Sequence, residues 1–193
     1  MFSNDWFSHN IPNWERLLAE YKGKPNLVFL EIGSYEGMAT HWLCKNILTD
    51  PTSKITAVDT FEGSIEHKDG HANTDFSEVE RNFRQNLAEY IRTDKVSIYR
   101  AKSQDFLREL SGAIFDFIYI DGSHTAPDVL EDGVLAWRLL KKGGIMIFDD
   151  YAWDAYKDNP ELNPRLAVDS FLSVMVGKYS VLLKDYQVAI KKV

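Results

Sequence analysis

Five short, almost purely apolar runs, each alternating with a stretch of helical spacing, constrain this chain more than any other feature. "NLVFLEIG", "KITAVDTF", "KVSIYRA", "FDFIYID" and "GGIMIFDD" lack the polar alternation of a half-exposed strand, so they read as strands buried on both faces. Between and around them lie "WERLLAEYK", "EGMATHWLCKNIL", "FSEVERNFRQNLAEYI", "SQDFLREL", "TAPDVLEDGVLAWRLLKK" and "RLAVDSFLSVM", which read as helices. Val79, Phe83 and Leu87 are spaced four apart, and Leu130, Val134 and Trp137 are expected on one face. Thr125, three residues before Asp128, predicts a capping box. Strands alternating with helices build a parallel sheet by right-handed crossovers, which predicts a doubly wound α/β sandwich. In the tail, "YSVLLK" and "YQVAIKK" are separated only by a turn around Asp185, so these two must pair antiparallel.

The 193 residues, 45% of them apolar, suffice for one sizeable core. No apolar run approaches the roughly 18 residues of a membrane span. The N-terminal "MFSNDWFSHNIPNWERL" lacks a basic start and an apolar centre, which makes a cytoplasmic location the expectation. The single cysteine, Cys44, excludes an internal disulfide and reads as an inert core residue. Net charge is -7, and the lysine pairs at 141–142 and 191–192 read as solvated. Such a surface repels double-stranded nucleic acid and favours a small-molecule partner; homo-oligomerisation stays open.

In an open α/β sheet, ligands sit beyond the carboxyl ends of the strands, so the polar residues there carry the functional signal. "FLEIGSYEG" places Glu31, Gly33 and Gly37 around the first strand-to-helix turn. Tyr35 stands where a dinucleotide fingerprint needs its second glycine, which argues against NAD. Asp59, closing the second strand, can accept both ribose hydroxyls of a nucleoside. Asp121 and His124 follow the fourth strand, and Asp149 and Asp150 the fifth. Carboxylates converging there would resist ionisation without a cation among them, and oxygen ligands without cysteine select Mg²⁺, Mn²⁺ or Ca²⁺. Two irregular segments, 62–76 and 151–165, are lid candidates. His67, Asp69, His71 and Asp75 in the first read as solvated loop residues, whereas Tyr151, Trp153 and Tyr156 in the second can stack on a ligand or pack back on the domain.

Jointly, "FLEIGSYEGMAT", "AVDTF", "AKSQDFL", "IYIDGSH" and "MIFDDY" resemble, over about residues 26–151, the metal-dependent S-adenosylmethionine O-methyltransferases. That group contains catechol O-methyltransferase and the macrocin-type sugar O-methyltransferases. The resemblance implies a Rossmann-like, mostly parallel seven-stranded sheet with an antiparallel C-terminal strand, in one domain over residues 1–193 with a short N-terminal helical extension. It implies that Glu31, Gly33 and Ser34 line the methionine part of the donor and that Asp59 binds its ribose. Ser103 and Gln104 would then face the adenine, Phe61 would pack on it, and Asp121 would border the donor. Asp121, Asp149 and Asp150 would hold the metal; Asp149 follows Asp121 by 28 residues, as in the catechol enzyme, whose third ligand is an amide where this chain has Asp150. His124 would take the proton of a catechol or sugar hydroxyl, or else be a metal ligand or a hydrogen-bond partner of the substrate; the catechol enzyme has lysine there and the macrocin type histidine. Two alternatives are a metal-site enzyme resembling the cephalosporin hydroxylase group and a non-catalytic S-adenosylmethionine-binding protein.

Overall fold

A computed structural model describes residues 2–64, 75–76, 78–156 and 158–193. His67, Asp69 and His71 lie outside the described residues. Strands β1 (Val28–Ile32), β2 (Lys54–Asp59), β3 (Val96–Arg100), β4 (Phe115–Ile120), β5 (Leu140–Phe148), β6 (Tyr179–Lys184) and β7 (Val188–Lys192) form one sheet in the order β3-β2-β1-β4-β5-β7-β6. The first five run parallel, and β7 runs antiparallel to both β5 and β6, as the short link around Asp185 requires. The helices are α1 (Ile11–Leu17), α2 (Met38–Asn46), α3 (Val79–Asn86), α4 (Ala88–Arg92), α5 (Ser103–Glu109), α6 (Ala126–Leu139) and α7 (Pro164–Val174). None is long and apolar enough to cross a membrane.

Because side chains alternate along a strand, adjacent residues enter different cores. Phe29, Phe117 and Ile145 face one, with Trp14, Leu43, Phe83 and Leu87 from the helices covering it. Leu30, Ile118, Met146 and Ile190 occupy one register row across four strands and face the other, under Val129, Trp137 and Phe171. Both faces are therefore dry, which is why the runs are uniformly apolar. Cys44 is buried in the first core, and burial pushes its thiol up to about 12.

Four local expectations change. The helix expected over 76–91 breaks at Leu87, although Val79, Phe83 and Leu87 are all buried. Val134 is 42% exposed, because the face of α6 that packs runs through Val129, Gly133, Ala136 and Trp137. The capping box is absent: the Asp128 carboxylate accepts the hydroxyls of Ser123 and Thr125, both at 2.8 Å, and the Thr125 N–H turns to Ser123 Oγ. Lys141 and Lys192 are not simply solvated. Lys141 pairs with Asp116, while Lys192 Nζ donates to the carbonyls of Trp137 and Leu140 and lies over the Trp137 ring, closing the C-terminal end of α6.

Candidate active site

Beyond the carboxyl ends of β1, β2, β4 and β5 opens a cavity of about 1080 Å³. It lies at the switch point, where the chain crosses from β3 on one flank of β1 to β4 on the other. Its size is at the upper end of ligand pockets, leaving room for two molecules.

At the β1 end, Glu31 is 1% exposed and accepts the Thr40 hydroxyl. Burial, reinforced by the charge of Asp59, pushes its carboxyl up to about 8 despite that bond. Ser34 is buried, lines the cavity, and its Oγ meets no hydrogen-bond partner among the described residues. Gly33 (φ 76°) is required by a close crossing: a Cβ there would overlap the Asp121 carbonyl. The glycine thus joins two chain turns in direct backbone contact.

Asp59 Oδ2 accepts the N–H groups of Ser34 (2.7 Å) and Tyr35 (2.9 Å), and Oδ1 accepts that of Phe61 (2.7 Å). A carboxylate offers about four acceptor sites, so room for roughly one further donor remains, not for both ribose hydroxyls. Phe61 does not reach the cavity. Its backbone is left-handed (φ 55°), and the ring, 4% exposed, meets Phe83 edge-on in the core. Ser103 and Gln104, at the start of α5, do line the cavity. Ser103 Oγ donates at 2.7 Å to Asp132 of α6, whose carboxyl burial pushes up to about 7.

The strand ladders deliver the acids. Asp121 N–H donates to Ile32 O and Asp149 N–H to Ile120 O, extending the β1–β4 and β4–β5 pairings by one residue. Asp121 and Asp149 share the hydroxyl of buried Tyr119, 2.9 Å from Asp121 Oδ2 and closer still to Asp149 Oδ2. One phenolic proton faces two carboxylates. Burial, followed by the charges of Asp149 and Asp150, raises Asp121 well above the carboxylate range; burial and Asp150 push Asp149 up to about 7. Burial also opposes the charge on Asp150, but His124 Nε2 at 2.9 Å and the Tyr186 hydroxyl at 2.6 Å hold its carboxyl below the usual value. Its backbone is left-handed (φ 55°), an uncommon conformation for a non-glycine residue.

The ligating atoms gathered within 4.8 Å of one another belong to Asp121, His124 and Asp150. Asp149, which also lines the cavity, is committed to other partners: Oδ1 accepts the Asp150 N–H, and Oδ2 accepts Tyr119 and Gln187. Two carboxylate oxygens and an imidazole nitrogen, beside a third acid that resists ionisation, fit a divalent cation. In this geometry His124 takes the place expected for Asp149, whose position rests on donors from β4 and the C-terminal hairpin that sequence spacing does not reveal.

Of the three loop aromatics, Trp153 lines the cavity, its ring 4.5 Å from that of His124. Tyr151 instead bonds to Asp169, with Arg165 and Lys184 over its ring, and Tyr156 packs against Trp153. Sequence reasoning missed the N-terminal wall. Asn4, Asp5, Trp6 and His9 line the cavity, and Trp6, 48% exposed, lies 4.7 Å from Tyr35. Its signal is the one that Trp153 also carries, an aromatic in an otherwise polar segment.

Residues 30–151 match a family model described as a methyltransferase domain. An uncharacterized protein of Acanthamoeba polyphaga mimivirus is 27% identical over 164 residues, spanning 84% of this chain and 67% of that one. Among solved structures, an O-methyltransferase from Bacillus cereus in complex with SAH superimposes with a TM-score of 0.65 at 17% identity, covering 99% of this chain and 84% of that one. The MycE methyltransferase of the mycinamycin pathway, in complex with Mg and SAH, gives 0.65 at 17%, covering 98% and 51%. The family match spans more than half of the sequence and takes in the ends of β1, β2, β4 and β5: the chain belongs to this methyltransferase-domain family, as its resemblance to the class I S-adenosylmethionine O-methyltransferases implied.

Proposed function

We propose that the protein, as one domain over residues 1–193, transfers a methyl group from S-adenosylmethionine to a hydroxyl of a small molecule or sugar, assisted by a divalent cation. The observation that carries this reading is the convergence of Asp121, His124 and Asp150 beside a cavity large enough for donor and acceptor. The MycE complex, which contains Mg and SAH on the same fold, supports it.

Glu31 and Ser34 face the methionine part of the donor. Glu31 is the anion for its ammonium, and Ser34 Oγ, without a protein partner among the described residues, is the donor for its carboxylate. Asp59 holds the first loop by three backbone N–H groups and keeps about one acceptor site for the ribose. Ser103 and Gln104 take the base. Asp121 and Asp150, with Asp149 beside them, would hold a magnesium or manganese ion, which as a Lewis acid would lower the pKa of a bound hydroxyl.

His124 receives the acceptor's proton. Its Nε2 lies 2.9 Å from the Asp150 carboxylate, whose charge would steady the imidazolium that forms. Trp153 packs on that ring and walls the acceptor side. Holding nucleophile and methyl in contact supplies the rest of the rate.

The test is titration calorimetry with S-adenosylmethionine, with and without Mg²⁺, followed by methyl-transfer assays over catechols and sugar diols. Metal-dependent turnover on either class supports the proposal. Tight donor binding without turnover on any acceptor would favour a non-catalytic binding protein, and absence of donor binding would sink the reading.

A further inference from the structure

The sheet ends on β6, whose outer edge has no strand beside it among the described residues. The free N–H and C=O groups of such an edge are a template for another strand, and proline or charge ordinarily blunts them. Residues 178–185, "KYSVLLKD", contain no proline. Lys184 is drawn onto α7 by Asp169 at 3.0 Å, so it does not guard the edge. Val181 and Leu182 are 51% and 38% exposed, and Val174 and Val176, at the end of α7 and in the turn after it, are 72% and 74% exposed. Apolar side chains gathered in water around an open edge mark an association surface.

The strand's own order of residues identifies the partner. A two-fold axis lays a strand antiparallel to its copy, so that residue i meets j and j meets i. With Val181 opposite Leu182 of a second copy, Lys178 falls opposite Asp185, once at each end. Both are exposed, and neither has an ion-pair partner among the described residues, whereas Lys184, Lys191 and Lys192 are engaged within the chain. Shifting the register by one residue sets Lys178 against Lys184 in one direction and against Tyr186 in the other.

A register shift inside β6 permits this pairing. Opposite residues of an antiparallel pair project to the same face, and neighbours in a regular strand project to opposite faces. A two-fold copy of a regular strand could therefore never set Val181 against Leu182. In β6, Val181 pairs with Ile190 and Leu183 with Ala189, which enter different cores, so Leu182 is an extra residue at which the alternation slips. Counted back from Lys184, which pairs with Val188, Leu182 projects to the face that Val181 shares with Ile190.

We infer that the chain forms a two-fold symmetric dimer in which β6 pairs antiparallel with β6 of a second copy, joining the two sheets into one. Val181 and Leu182 of both copies meet at the axis, and Lys178 and Asp185 pair across it at both ends.

The test is sedimentation velocity on the full chain over a concentration series, with circular dichroism to confirm folding. Wild type is expected to sediment at twice the chain's mass at about 10 µM. Lys178→Asp and Asp185→Lys each turn both end pairs into like charges, and each is expected to raise the dimer dissociation constant about tenfold or more. The double variant restores opposite charges and is expected to return to within about threefold of wild type. Should a reversal fail to fold, Val181→Lys, which places two charges at the axis, is expected to give a folded monomer.

A wild type that stays monomeric at about 100 µM overturns the dimer. A dimer that survives Val181→Lys, that neither charge reversal weakens, or that the double variant does not restore overturns this interface.

Discussion

Gln187 donates a hydrogen bond to Asp149 at 2.9 Å while accepting one from the indole of Trp14 at 2.8 Å, so the N-terminal helix and the C-terminal hairpin meet behind an acid of the site. All three residues are buried. Replacing Gln187 by Leu leaves the Trp14 N–H without its acceptor and Asp149 with one donor fewer. Chemical denaturation is expected to show a loss of about 2–4 kcal/mol, since each orphaned buried group costs about 1–3 kcal/mol. Metal affinity, read by calorimetry, is expected to fall about tenfold or more.

Glu31 makes stability depend on pH. Its carboxyl is pushed up to about 8 in the fold, first by burial, while an unfolded glutamate titrates near 4.3. Between those values the folded state keeps a proton that the unfolded state has lost. Stability therefore falls as pH rises through this window, and the loss is complete above about 8. Glu31→Gln is expected to abolish that loss and to gain on the order of 3 kcal/mol at pH 8 relative to pH 4.5, measured by denaturation at both pH values. A donor ammonium beside Glu31 should also expel the proton, so cofactor binding at pH 7 is expected to release protons in wild type and fewer in the variant. Calorimetry in buffers of different ionisation heat reads this directly.

Asp150 is the acid of the cluster held most firmly in its charged form, through His124 and Tyr186. Mg²⁺ or Mn²⁺ at about one hundred times its dissociation constant is expected to stabilise the wild type by about 2.7 kcal/mol, seen as a rise in melting temperature that EDTA reverses. Asp150→Ala should remove most of that rise. An undiminished rise would place the cation elsewhere.

In the proposed function Trp153 walls the acceptor side and not the donor side. Trp153→Ala is expected to raise acceptor KM about tenfold, the scale of a lost aromatic contact, with S-adenosylhomocysteine affinity unchanged. Unaltered acceptor kinetics would remove Trp153 from that wall.

The sheet and its two cores were legible because burial on both faces leaves a strand no freedom to alternate; Phe29 and Leu30 entering opposite cores is that rule at work. The acids at 121, 149 and 150 were legible as strand-end carboxylates. What the sequence hid was direction and occupancy. Asp149 turns toward Tyr119 and Gln187, the latter 38 residues away in the chain. Phe61 turns inward because its left-handed backbone reverses the chain just past β2. Most of the capacity of Asp59 is taken by neighbouring N–H groups.

At Gly33 the turn after β1 touches the turn after β4 with no side chain between them. The turn that carries Ser34 and the acid at 121 are therefore braced main chain to main chain, and neither can drift without dragging the other along. In the proposed reading, the span between the donor's sulfur and the acceptor's oxygen is governed from below by that unpadded joint. A single added methyl at that joint would force the two ends apart.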